Sequence, residues 1–131
     1  MPVHLGVYDT YALVTVDGDF TAREVEQVVA RAGERVAAEA RDGSRATPSV
    51  PVLLDLTGAA SLALKSDEDL ATCAAAFAAA GDHFPRVAIL VPGDRVDDLM
   101  RMGTAFMSQA GLRAAPFRSR AEAEAWLQAP P

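Results

Sequence analysis

Val50-Pro51-Val52-Leu53-Leu54-Asp55-Leu56, continuing into Thr57-Gly58, is the stretch that decides the architecture. It is short, almost unbrokenly apolar and rich in branched side chains. A strand with one wet face alternates apolar and polar residues, whereas a strand covered on both faces does not alternate, as in a parallel sheet flanked by helices. Pro51 limits pairing at the start of the run. Arg86-Val87-Ala88-Ile89-Leu90-Val91 reads the same way and is stopped by Pro92-Gly93. Two buried strands more than thirty residues apart need a crossover between them, and the intervening chain has helical character.

Helical signals fill the gaps. Thr21-Ala22-Arg23-Glu24 has the form of a capping box, in which the Thr21 hydroxyl accepts from the Glu24 amide and the Glu24 carboxylate reaches back. Val25, Val28, Val29, Ala32 and Val36 follow as one apolar stripe, and Gly43 suits the left-handed position past the helix end. Ser66 is an N-cap for a second helix, and Asp67, Glu68 and Asp69 favour its positive end. Leu70, Cys73, Ala74 and Phe77 make its stripe, and Gly81 closes it. Asp94 is expected to cap a third helix. Its stripe is Val96, Leu99, Met100, Gly103, Phe106, Met107 and Ala110, with Met102 off the stripe and exposed, and Gly111 stops it. Leu112–Phe117 is a last strand, and Ser119-Arg120-Ala121-Glu122 caps a short helix through Leu127. The β-rich segment Tyr8–Val16, with a weaker strand at Val3–Tyr8, supplies an antiparallel opening pair turned at Asp9-Thr10 and ended by Asp17-Gly18-Asp19. The order is therefore β-β-α-β-α-β-α-β-α: an α/β fold whose sheet is mainly parallel, with an antiparallel edge strand and helices packed on it.

Length and composition agree. The chain has 131 residues, half of them apolar but only 6% aromatic, so much of the apolar share is alanine and valine. That is one domain, 1–131, with a frayed tail at 128–131. The formal charge is −6 and Lys65 is the only lysine. Nucleic acid and anionic membrane surfaces need clustered cations, so neither is expected as a partner. Met1-Pro2-Val3-His4-Leu5 lacks the basic start and apolar core of a secretory signal, and no segment has the apolar length of a membrane span, which points to the cytoplasm. Cys73 stands alone, so no intrachain disulfide forms. His4 and His83 have no partner at a metal-ligand spacing, and glycine-rich phosphate loops and the G-x-S-x-G elbow are absent, so no metal, cofactor or enzymatic activity is expected.

Asp55 at the end of a central strand invites comparison with response-regulator receivers. The rest of that pattern fails: Val91-Pro92-Gly93 lacks the hydroxyl residue, and Ala114-Ala115-Pro116 stands where a lysine is required. A closer likeness is carried by Val50–Gly58, by Phe84-Pro85-Arg86-Val87-Ala88-Ile89-Leu90, by Arg101-Met102, and by Phe117 through Leu127 with its Glu124-Ala125-Trp126-Leu127 ending. In this order they resemble the SpoIIAA-like branch of the STAS superfamily, the fold of sulfate-transporter and anti-sigma-factor-antagonist domains.

That resemblance implies a non-enzymatic regulatory or protein-interaction module that docks partners through the loop and start of the second helix, residues 57–69. In antagonist members a Ser or Thr there is phosphorylated, within an Asp-Ser-Ser/Thr-Gly phrase that this chain lacks. Ser66 is the nearest hydroxyl and Ser61 the second candidate, with Thr57, Gly58, Leu62 and Leu64 completing the surface. Leu62 and Leu64 either tuck under the helix or form an apolar docking patch. Met102 and Phe106 are assigned to an apolar ligand or dimer surface. The alternative function is a binder of a small apolar or lipid-like ligand in a cleft between sheet and helix. A protein partner or a second copy of the chain are the partners these readings imply.

Overall fold

A computed structural model describes residues 3–8, 10–60, 62, 65–91, 94–109 and 112–129. The elements run β1 Val3–Val7, β2 Ala12–Asp17, α1 Ala22–Asp42, β3 Val52–Gly58, α2 Asp67–Ala79, β4 Arg86–Leu90, α3 Val96–Met107, β5 Arg113–Phe117 and α4 Arg120–Gln128. They form a five-stranded mixed sheet in the order β1-β2-β3-β4-β5. β1 pairs antiparallel with β2, and every other pair is parallel. The expected order of elements and strand directions is the one observed.

Burial on two faces explains the apolar run that opened the reading. Val52, Leu54 and Leu56 join the core under α1, α2 and α3, together with Val87 and Ile89. Leu53 points the other way, into a smaller cluster with Ala88, Leu90 and the α4 residues Ala123 and Leu127. Each such side chain taken fully out of water stabilises the fold by about 1.5–3 kcal/mol. The capping box at Thr21 forms with both reciprocal bonds, and Gly43 closes α1 at φ 86°. Gly18 takes φ 60°, which lets the β2–α1 turn fold back so that its N–H donates to the Gly58 carbonyl at 2.7 Å.

Three local expectations are revised. Arg95, not Asp94, occupies the N-cap of α3, and it makes no side-chain cap bond. α2 ends at Ala79, and the tight turn at Ala80, whose N–H donates to the Ala76 and Phe77 carbonyls, closes it before Gly81. α3 is also rotated from its expected phase: Gly103 and Phe106 of the expected stripe are buried, but Met102 is buried with them and Met100 and Met107 face outward. Its closest approach is to β5, where a Cβ added at Gly103 would lie 3.3 Å from Pro116 Cγ. Phe106 stacks at 5.5 Å on Phe77 of α2. Those two contacts set the rotation.

The outer edge of the sheet is blunted by Pro116. Val91 N–H donates to the Phe117 carbonyl, so the backbone groups of Phe117 point toward β4 and those of Ala114 and Pro116 point outward. Proline has no N–H, so the open edge lacks a donor that another strand would use.

Candidate functional site

Where the parallel strands β2 and β3 end, the chain leaves the sheet through the turn at 17–20 and the segment 57–66. Backbone bonds tie these two pieces together: besides Gly18 to Gly58, Ala60 N–H donates to the Gly18 carbonyl at 3.1 Å. The approach is close enough that a Cβ at Gly58 would collide with Asp17 Oδ1. Asp17 in turn lies 3.6 Å from His4 Nε2, across the antiparallel pair.

Three cations fasten the loop. Lys65 Nζ meets Asp19 Oδ1 at 3.2 Å and sits 5.0 Å over the Phe20 ring. Arg95 donates through Nη2 to the Ala59 carbonyl at 2.9 Å and through Nε to Asp98 Oδ2 at 2.8 Å. Asp98 is itself buried, so this is a shielded pair, and the guanidinium spans from α3 to the loop. Arg101 donates to the Lys65 carbonyl and to Asp67 Oδ1, the latter at 3.1 Å. Both arginines come from α3, more than thirty residues beyond the groups they hold.

The residues expected at this site divide. Thr57 and Gly58 are exposed at the end of β3. The Thr57 amide and hydroxyl both donate to Asp55 Oδ1, at 2.9 and 2.7 Å, so Asp55 serves as the acceptor of a local turn, with Arg120 3.9 Å from its other oxygen. Ser66 is exposed and caps α2, its Oγ accepting from the Asp69 amide at 3.1 Å. Exposed Asp67, Glu68 and Asp69 follow it and oppose an added phosphate dianion, while the helix N-terminus favours one. Leu62 does not reach the surface. It is fully buried with Leu56, Ala59 and Leu70 in the main core, and it is removed from the docking residues. Ser61 and Leu64 lie outside the described residues. Met102 and Phe106 are likewise removed from any surface role: Met102 is 2% exposed and Phe106 fully buried.

What α3 does present outward is Met100, 65% exposed, and Met107, 64% exposed, with Val96 partly exposed. An open groove of about 480 Å³ runs between α3 and β5, with Leu99, Met100, Gly103, Met107 and Pro116 among its walls. A second, of about 320 Å³, runs between α2 and α3 and ends at the Asp67–Arg101 pair beside the loop. The apolar concavity that a ligand reading would use is thus an open groove where α3 meets the edge strand β5 of the sheet.

Cys73 is buried in α2, and burial first, then the charges of Asp69 and Glu26, push its thiol up to about 12. It is a core residue at neutral pH. No helix among the described residues is long and apolar enough to cross a membrane.

The signals that sequence reading missed are Arg95, Asp98, Arg101 and Lys65. Their partners are distant in sequence, and only a bias toward arginine over lysine hinted that fixed, forked contacts were in use. In comparison with known proteins, a family described as SpoIIAA-like matches residues 12–128. No curated protein and no solved structure matches.

Proposed function

Since the chain belongs to the SpoIIAA-like family, we propose that it is a non-enzymatic regulatory module that docks a protein partner through residues 57–69, the loop and first turn of α2. The observation that carries this reading is the way the loop is held. Lys65, Arg95 and Arg101 fasten its inner side from two directions, while Thr57, Ala60, Ser66 and Glu68 stay exposed. The described residues on that inner side are tied down in the free chain, so ordering them costs little conformational entropy when a partner binds. Loops positioned by a rigid scaffold are where recognition concentrates.

The test is affinity capture from the native lysate with wild-type protein and with a Thr57→Arg/Ala60→Arg double variant, followed by direct titration of the captured species. Both positions are exposed, so the variant folds. Loss of at least tenfold in affinity is expected, with Glu34→Arg on the far helix α1 as the unaffected control. A partner bound equally by all three proteins refutes the reading. A second reading, an apolar small-molecule binder, is favoured by the groove between α3 and β5 alone. It predicts that a lipid adduct survives in native mass spectrometry and is lost in Met107→Glu.

A further inference from the structure

The groove between α2 and α3 starts at the acidic first turn of α2 and is lined by about one turn of α2 (Asp67 to Ala71) and about two turns of α3 (Met100 to Ser108). Its floor is made of small side chains, Ala71, Thr104, Ala105 and Ser108, and Met100 stands beside it. A floor of that kind lets another helix approach to the ordinary interaxial distance of roughly 8–10 Å with room for large anchors. On α3 the lining runs from Met100 to Ser108, about 12 Å at about 1.5 Å per residue. That length accommodates anchors at positions i, i+4 and i+7 of a docked helix. Met100 is unbranched and polarizable, and it adapts to whichever side chain meets it.

Charge selects the occupant. The cations at the loop end of the groove are engaged by acids of this chain: Lys65 by Asp19, Arg95 by Asp98, Arg101 by Asp67. Asp67 lines that end itself; Glu68 and Asp69 are exposed in the same first turn of α2 and Asp97 in the first turn of α3, and these three make no ion pair among the described residues. The two helix N-termini offset only about half a charge each. A second copy of the chain would bring the same carboxylates and a net charge of −6 against −6. We propose that this groove seats an amphipathic helix of a partner protein, its large apolar side chains over Ala71 and Ala105 beside Met100 and its lysines or arginines over the acidic start of α2. The proposal rests on the interaction-module reading and names the kind of partner that reading leaves open.

The probes are two synthetic 18-residue helices with the same leucine stripe, one flanked by lysines and one by glutamates. Each is titrated by fluorescence anisotropy into the full chain carrying ¹³C-methyl methionine. The lysine helix is expected to bind at least tenfold more tightly than the glutamate helix and to shift the Met100 methyl signal while leaving buried Met102 in place. Met100→Glu, at an exposed position, weakens it tenfold or more, and Ala105→Arg does the same independently. Circular dichroism confirms that both variants fold. Binding that is insensitive to Met100→Glu and Ala105→Arg overturns the proposal, as does equal weakening by Glu34→Lys on α1, which would mark mere charge attraction. A dimer in light scattering that Met100→Glu dissolves overturns it in favour of a second copy. A captured partner that is lost with Thr57→Arg/Ala60→Arg but retained by Met100→Glu removes the groove and leaves the interaction-module reading standing.

Discussion

Replacing Arg95 by alanine tests how the loop is held. Its guanidinium makes two charge-assisted bonds, to the Ala59 carbonyl at 2.9 Å and to Asp98 at 2.8 Å. A hydrogen bond to a charged group contributes about 1.5–3 kcal/mol. The larger effect is what remains: Asp98 is buried, and removing the partner of a buried charge costs about 3–5 kcal/mol. Asp98 sits in the first turn of α3, where the helix dipole returns roughly 0.3–1 kcal/mol to an unpaired carboxylate. Arg95→Ala is therefore expected to cost about 3 kcal/mol. Asp98→Ala leaves a quarter-exposed guanidinium that still holds Ala59, so it costs less, about 1–2 kcal/mol. The double variant leaves no charge stranded and is expected at about 2–3 kcal/mol, well below the sum, with a coupling on the order of 2 kcal/mol. Urea unfolding of the four proteins measures the cycle, and amide exchange follows the Ala59 and Ala60 N–H groups, which should lose protection in Arg95→Ala ahead of the core strands. Additivity within about 0.5 kcal/mol, or a loop whose exchange is unchanged, refutes the argument that this pair fastens the site.

Met102→Ala should cost about 2–5 kcal/mol in chemical denaturation, and Met100→Ala less than about 0.5 kcal/mol; the reverse order would mean that α3 has its sequence-expected phase. Arg86 is buried and donates to the Trp126 and Ala129 carbonyls at 3.0 and 2.7 Å, so Arg86→Ala should free the end of α4 and red-shift Trp126 fluorescence before global unfolding. Cys73 should resist thiol reagents at pH 8 until the protein is unfolded. Its folded pKa lies above the ordinary 9.0, at about 12, so the unfolded chain loses this proton first: the stability contribution is complete below pH 9 and falls between pH 9 and 12, and Cys73→Ala should flatten that decline in an alkaline titration.

The fold was legible because its signals are local. Each buried strand is a contiguous run, and the capping box at Thr21, the N-cap bond at Ser119 and the glycine after α1 lie within a few residues of the groups they satisfy. The phase of α3 was not legible, and the reason is specific. Val96, Leu99, Met100, Met102, Phe106 and Met107 put apolar side chains around much of the helix, so no stripe excludes the others by polarity. The rotation is chosen by contacts outside α3, where Gly103 admits Pro116 and Phe106 meets Phe77. Hydropathy counts Met100 and Met102 alike, but packing separates them.

The site follows the same division. Ser66 as an N-cap is a local fact and was readable. Leu62 was ambiguous because an apolar residue in a connection reads the same whether it faces in or out. The arginines were invisible for a different reason: Arg95 and Arg101 gain their meaning only when the crossover places α3 beside the start of α2. Once there, one helix both fastens the inner side of the 57–69 loop and offers Met100 next to its outer side.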